Sequence, residues 1–383
     1  MDPHRPDRFL PNSEAVAGPW GVVVAIQANY YRVQLGSLEG VVTTDTLLCT
    51  RRARLKKTGQ QVMVGDSVRL EALDWADKRG AIAAVSPRRT VLDRPPMANA
   101  DQILLVFALA EPDLDPQQLS RFLVKAESTG VRVNLCLNKQ DLVSAATRQH
   151  WQDQLQQWGY RPTLVSVQGD ASLEGLPALL KGHTTVVSGP SGVGKSSLIN
   201  RLIPQIDLRT GTVSGKLSRG RHTTRHVELF ELPGGGFLAD TPGFNQPDMT
   251  LTPAALGQCF PEIRQRLGEG CCQFKDCLHR GDPGCAVGTD WPRYDIYLTL
   301  LAEVLSYQQD RQHRRDPDAA LKVRMGAQGQ TNHEPRLQTK TYRRPSRRRQ
   351  RQTLDELCCG LDNQAEGLEG DGEGRDPDQA DFD

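Results

Sequence analysis

The sequence predicts a multidomain chain: an N-terminal β-barrel of OB type, an α/β domain, a C-terminal helical domain with a metal-binding loop, and a disordered, strongly charged tail. Three observations predict it. Five short runs rich in Val, Ile, Leu or Tyr crowd between Gly21 and Arg88. A strand-helix alternation starts after Pro95-Pro96. Four cysteines, Cys271, Cys272, Cys277 and Cys285, fall within fifteen residues around His279. At 383 residues the chain exceeds the ~100 to 200 residues of one ordinary domain. Its hydrophobic share of 38%, with 35 glycines, suffices for a real core. The shifts in pattern put the domains at 1–92, 93–247 and 248–330, and the tail at 331–383.

The barrel runs are Gly21–Gln27, Tyr30–Leu35, Glu39–Thr46, Asp66–Leu73 and Gly80–Ser86. Gly36-Ser37, Gly65-Asp66 and Lys78-Arg79-Gly80 punctuate them, as expected of a small closed barrel, OB or SH3-like. Arg51, Arg52, Arg54, Lys56 and Lys57 follow the third run. OB barrels often place a nucleic-acid-binding loop there, and clustered cations suit phosphates.

In the α/β domain Ile103–Leu109 is a continuous apolar strand. Asp115-Pro116 then supplies an N-cap and a first-turn proline for a helix through Leu119, Phe122, Leu123 and Ala126, stopped by Gly130. Val131–Leu137, Thr163–Val167 and Thr184–Ser188 are further strands, and Trp151–Trp158 belongs to a helix. Parallel strands joined by helices gather ligands at their carboxyl ends.

The segment Gly189, Pro190, Ser191, Gly192, Val193, Gly194, Lys195, Ser196 matches a P-loop in full, between a strand and a helix beginning at Ser197. Its backbone N–H groups turn toward phosphates, Lys195 offers a cation to the β/γ oxygens, and Ser196 offers a hydroxyl to Mg2+. Phe237-Leu238-Ala239 leads into Asp240-Thr-Pro-Gly243, where Asp240 suits Mg2+ through water and the Gly243 N–H suits a γ-phosphate. Asn138, Lys139, Gln140 and Asp141 follow a strand and choose the base: a carboxylate accepts from N1–H and the N2 amino group of guanine, whereas adenine leaves it unpaired. Ser166 is placed to reach the guanine O6 region. The base motif at 138 precedes the P-loop at 189 and the DTPG at 240, an order that implies circular permutation of an α/β GTPase domain.

Cys272-x4-Cys277-x-His279-x5-Cys285 sets four soft or borderline ligands in one loop, which suits a single structural Zn2+. Cys271 competes with Cys272 for the first position. A helix from Pro292 to about Arg311 is expected beside the loop, packing through Tyr294, Tyr297, Leu298, Leu301 and Leu305.

The formal net charge of +1 averages opposed blocks. Residues 336–351 hold eight Lys/Arg and no acid, and residues 353–383 hold eleven Asp/Glu against Arg375; such blocks resist folding. The longest apolar run, Ile103–Ala110, is far short of the ~18 to 20 residues of a membrane span. Met1–Leu10 has no apolar stretch of a secretory signal, and nine cysteines are an odd count for a disulfide framework. A cytoplasmic protein without membrane contact is expected.

With its barrel, its NKQD, GPSGVGKSS and DTPGF order, the His222-Thr223-Thr224 segment and its CxxxxCxHxxxxxC loop, the chain resembles the ribosome small-subunit-dependent GTPases of the RsgA (YjeQ) family from Gly21 to about Arg315. The resemblance implies a monomeric GTPase that binds the small ribosomal subunit and its rRNA, acts late in its maturation, and is stimulated by it. GTP and GDP are then the nucleotides, with Mg2+ held by Ser196 and Thr224. Phe244 stands where Ras-like enzymes keep a water-orienting glutamine, so His222 joins Lys195 as a candidate catalytic residue. Competing readings are a GTP-binding rRNA module with little catalytic role and an ATP-dependent RNA enzyme.

The base motif generates a test. Asp141→Asn should relax the preference for GTP over ATP in a nucleotide competition measurement; equal affinity of the unaltered protein for both nucleotides would contradict the assignment of Asp141.

Overall fold

The computed structural model describes residues 18–36, 45–57, 59–93, 96–168, 173–206, 227–240, 250–315, 321–325 and 331–335, the last two ranges, 311–315, Lys56 and Asp240 by backbone alone. The described residues up to Arg311 pack as one unit and those beyond it belong to a second.

The barrel strands are β1 (Trp20–Gln27), β2 (Tyr30–Leu35), β3 (Thr46–Arg51), β4 (Ser67–Asp74) and β5 (Arg79–Val85), with the short helix α1 (Ala53–Lys57) between β3 and β4. They pair in the order β1-β2-β3-β5-β4 and close through β1–β4, with β3 and β5 parallel. That is OB topology. Alternation drives it: Tyr31, Val33, Leu35, Leu47 and Cys49 point into a core shared with Val23, Val68, Leu70 and Ile82. The third strand corrects the sequence reading, which ended it at Thr46. Leu47 and Cys49 alternate with exposed Thr46, Leu48 and Thr50, so the strand begins at Thr46; residues 37–44 lie outside the described residues. Arg51 therefore ends β3 and Arg54 and Lys57 stand on α1, where a long loop was expected.

A hairpin, β6 (Val91–Asp93) with β7 (Pro96–Ala98), leads into β8 (Gln102–Ala108), α2 (Pro116–Glu127), β9 (Arg132–Asn138), α3 (Ala145–Gln157), β10 (Thr163–Leu164), α4 (Leu176–Leu180), β11 (Thr184–Ser188), α5 (Lys195–Leu202), β12 (Glu228–Glu231) and β13 (Phe237–Asp240). The strand order is β10-β9-β8-β11-β13-β12, parallel except for β12. Both faces of central β8 are covered. Ile103, Leu105 and Phe107 face one core with α2's Leu119, Phe122 and Leu123, while Leu104, Val106 and Ala108 face another with α5's Leu198 and Ile199. The α2 cap is as read: the Asp115 side chain accepts from the Gln117 and Gln118 N–H groups at 3.0 and 3.2 Å.

Barrel and α/β sheet form one continuous sheet, because β1 pairs with β12 at Ala25 and Glu228. Arg32 pairs with Glu228, and Gln34 donates to Glu231 at 2.5 Å. Val24 and Val64 of the barrel enter the core that holds Met97 and Ile103.

The helices α6 (Pro253–Gln258), α7 (Pro261–Glu269) and α8 (Tyr294–Arg315) enclose a core of Leu256, Phe260, Ile263, Trp291, Tyr297, Leu301 and Val304, joined by Val124 of α2. Arg293 is wholly buried between them. Its guanidinium donates to both oxygens of Glu262 at 2.7 and 2.6 Å and lies over the rings of Phe260 and Trp158 at 4.7 and 4.9 Å. Trp158 belongs to the α/β domain, so this cation also fastens the helices to it. The second unit contributes β14 (Leu321–Met325) antiparallel to β15 (Thr331–Pro335). The segment read as disordered from 331 onward thus starts with a strand, paired to five residues placed before the boundary. None of the described helices is long and apolar enough to cross a membrane.

Removing one member of the buried pair strands a charge. Glu262→Ala should lower stability by about 3 to 5 kcal/mol in denaturant unfolding, and Glu262→Leu with Arg293→Met should recover most of it. A single-variant loss no larger than that of an exposed carboxylate would refute the docking role.

Candidate functional site

Parallel pairing brings the carboxyl ends of β9, β8, β11 and β13 to one edge, and the motifs stand there. β11 ends at Ser188 and runs into the P-loop, and Gly189 takes φ +144° where a Cβ would collide with the Val106 carbonyl of β8. Gly194 takes φ +93° against the Asn138 amide and caps α5, whose first residue is Lys195. A side chain at either glycine would push the loop off the sheet. The helix starts two residues earlier than the sequence reading had it, which puts Lys195, Ser196 and Ser197 in its first turn, behind the phosphate loop. The Lys195 Nζ donates to the Gly189 and Pro190 carbonyls at 2.9 and 2.5 Å, so the ammonium lies over the loop formed by Gly189, Pro190, Ser191, Gly192 and Val193.

Asn138 ends β9 and is buried. Its Nδ2 donates to the Val193 carbonyl at 2.8 Å, a direct tie between base motif and phosphate loop. Lys139 adopts φ +59° and donates its Nζ to the Glu111 carbonyl. That turn throws Gln140 and Asp141 back toward β10, where the Gln140 N–H donates to Val165 O at 3.3 Å and the Ser166 hydroxyl donates to the Asp141 carboxylate. Ser166 thus orients Asp141. β10 ends at Leu164, three residues before the expected end, because the chain leaves the sheet to make these contacts. The Asn138 Oδ1 and Ser188 Oγ are buried without a hydrogen-bond partner among the described residues. They are polar atoms at the strand ends, beside the loop.

Asp240 closes β13 opposite Val187, on the same edge. Gly243, His222, Thr223, Thr224 and Phe244 lie outside the described residues. Segments 207–226 and 241–249 adjoin the described ends of β12 and β13 in sequence. A separate cleft of about 490 Å³, lined by Gln157, Glu262, Arg266, Glu269, Trp291 and Pro292, lies away from the motifs and mixes both signs of charge.

In the helical domain the Sγ atoms of Cys272, Cys277 and Cys285 stand 3.6, 3.7 and 3.6 Å from the His279 Nδ1, and all four atoms lie within 4.8 Å of one another. The loop achieves this with His279 at φ +54°. The Tyr297 hydroxyl of α8 donates to the Leu278 carbonyl at 2.6 Å, which pins the loop to the helix. Burial holds His279 below the usual imidazole range, so its neutral form, with a free lone pair, is favoured. Burial, with the neighbouring Cys285 and Cys272, pushes the Cys277 thiol up to about 11 against the His279 N–H, which lowers it. A bound cation opposes that rise by holding thiolates. Three sulfurs and a neutral imidazole at this spacing fit a soft or borderline metal ion. Cys271 is exposed and outside the group.

The sequence reading missed Arg293 and Glu262, since an arginine after Trp291-Pro292 carries no pattern of burial. It also missed the Glu111 carbonyl, which only the fold brings to Lys139.

A family model described as RsgA GTPase matches residues 85–250. A small ribosomal subunit biogenesis GTPase RsgA of Trichormus variabilis is 56% identical over 355 residues, spanning 88% of this chain and 96% of that relative. The chain belongs to the RsgA GTPase family. Another RsgA, from Synechocystis sp., is 53% identical over 91% of this chain and 98% of its own. Among solved structures, YloQ, a circularly permuted GTPase, aligns with TM-score 0.63 at 31% identity over 76% of this chain and 96% of that one. YjeQ from Thermotoga maritima aligns with TM-score 0.62 at 28% identity, over 76% and 99%. One of these solved neighbours, YloQ, is thus itself described as circularly permuted.

The ligand set predicts how metal is lost. Cys272→Ser should release bound metal while Cys271→Ser keeps it, by elemental analysis of purified protein. Metal-linked stability should be greatest above the ordinary imidazole range of about 6.5 and be lost as pH falls through the depressed His279 value, where protons compete for the imidazole as they already do for the thiolates. Metal retained by Cys272→Ser and lost by Cys271→Ser would overturn this register.

Proposed function

We propose that this RsgA-family GTPase hydrolyses GTP to GDP and phosphate on the small (30S) ribosomal subunit, late in that subunit's biogenesis, and that the subunit stimulates it. One observation carries the reading: the guanine motif is hydrogen-bonded to the phosphate loop through Asn138 and Val193. Asn138, Lys139, Gln140, Asp141 and Ser166 read the base. Gly189 through Ser197 cradle the phosphates, with Asp240 and Gly243 at the γ end.

Catalysis in this class is mostly positioning and charge stabilisation. Lys195 exchanges the Gly189 and Pro190 carbonyls for β/γ oxygens when nucleotide enters, so the transferred phosphoryl meets a cation already in place. Mg2+ bound by Ser196 and Thr224 would supply charge neutralisation. His222, directly before the Thr223-Thr224 pair, positions or deprotonates the attacking water, a role Phe244 cannot fill.

The metal held by Cys272, Cys277, His279 and Cys285 is zinc, in one structural site. The division of labour follows the boundaries 1–92, 93–247 and 248–330, with Arg51, Arg52, Arg54, Lys56 and Lys57 of the barrel holding rRNA phosphates. The protein works as a monomer in the cytoplasm, where ribosomes assemble.

The test is GTP turnover with saturating small subunits. His222→Ala should lose the stimulated rate while GTP binding and subunit binding persist. Undiminished stimulation would move the catalytic role to the ribosome or to another side chain, and absence of stimulation in the unaltered protein would refute the proposed dependence.

A further inference from the structure

Strand β12 is held to the barrel at both ends by side chains that reach across a whole strand. Arg32 of β2 pairs with Glu228, and Gln34 of β2 donates to Glu231 at 2.5 Å, although β1 lies between β2 and β12. Strands in a sheet are about 4.8 Å apart, so Arg32 and Glu228 meet only over the residue that separates them. That residue is Ala25, which pairs with Arg32 on one side and with Glu228 on the other and offers only a methyl. The same row continues through the sheet: Glu228 is paired with Asp240, and Asp240 with Val187, just ahead of the P-loop. A single cross-strand row therefore runs from Arg32 of the barrel to the end of β13.

The two glutamates of β12 receive different partners. Glu231 stands opposite Phe237, away from the motif edge, and receives a neutral amide; Glu228 stands opposite Asp240, at that edge, and receives a guanidinium. Two acidic residues directly opposite each other on antiparallel strands repel, and a cation on one of them relieves the repulsion. Fold stability is a weak reason for the pair, since the Arg32 and Glu228 side chains are 39% and 40% exposed and an ion pair so open to water contributes little. Among the described residues Arg32 is the one cation that pairs with Glu228.

Resting on the reading of Asp240 as the carboxylate at the γ end, we propose that Arg32, a barrel residue, is a positioning residue for GTP hydrolysis. By neutralising Glu228 it keeps β12 paired with β13 and leaves Asp240 as the acid of the row that serves Mg2+. Without Arg32, Glu228 is a second negative charge in the same row, which opposes Asp240 across the strand pair and competes for the cation. The base motif and the P-loop lie on the other side of β13, so the effect falls on turnover and not on the binding of GDP.

The experiment uses the full chain and measures GTP turnover, intrinsic and with saturating small subunits, beside GDP affinity by titration calorimetry. Arg32→Ala should lower kcat about 2- to 5-fold in both conditions, the worth of one cross-strand charge pair, with GDP affinity unchanged. Glu228→Gln placed in the Arg32→Ala chain should restore kcat although the ion pair stays broken, and Arg32→Lys should retain it. Gln34→Ala, which cuts the other barrel bond to β12, should turn over GTP at the parent rate. Parent kcat in Arg32→Ala overturns the proposal. So does a double variant as slow as Arg32→Ala, or a Gln34→Ala chain equally slow, since the pair is then only a fastening between barrel and sheet. Asp240→Asn separates the two readings. If it turns over GTP as the parent does, the role of Asp240 fails and the proposal with it; if it is slow while Arg32→Ala keeps the parent rate, the proposal alone fails.

Discussion

A single buried hydrogen bond, from the Asn138 side-chain amide to the Val193 carbonyl, makes the two halves of the nucleotide site into one object. One partner ends a strand and the other belongs to a loop fifty-five residues later, so the bond exists only because β9, β8 and β11 run parallel and end on one edge. The collision that a Cβ at Gly194 would make with the same amide shows how closely the loop is seated. Permutation of the chain does not disturb this contact. What matters is which strand ends meet, and the parallel sheet fixes that regardless of where the chain begins.

Two further attachments surround that edge. β12, the strand that follows residues 207–226, takes its outer partner from barrel strand β1, so the barrel is joined to the element leading out of the segment that holds His222 and Thr224. On the other side α2 carries Val124 into the helical core, and Arg293 reaches Trp158. Desolvating a guanidinium is costly, and here a bidentate carboxylate and three aromatic rings offset it. The Cys/His loop, pinned by Tyr297, then sits on a helical core already fixed to the α/β domain. The barrel, a candidate RNA-contacting domain, and the helical domain are thereby both held to the domain that carries the P-loop.

Much of this was legible in the sequence because the signals are local. Strand β11 matches its apolar run residue for residue, the Asp115 cap lies one residue from its helix, and the P-loop and the Cys/His loop are each contiguous. The third barrel strand was misread because Val41-Val42 outweighed the weaker alternation of Leu47 and Cys49 against polar neighbours. The Glu262–Arg293 pair was not legible at all: burial of a charge is set by what folds over it, and two residues thirty-one apart with no periodic relation give no warning. The α8 stripe was half read, since Tyr297 and Leu301 are buried as expected while Leu300 and Val304 were overlooked.

The claim that Asn138 joins base and phosphate subsites is tested most directly by titration calorimetry of Asn138→Ala with GDP and with inorganic pyrophosphate. The account predicts that both lose affinity, because the Val193 carbonyl is stranded at a cost of about 1 to 3 kcal/mol and the phosphate loop loses its brace. A variant that binds pyrophosphate as the parent does, and loses only its preference for guanine, would contradict it.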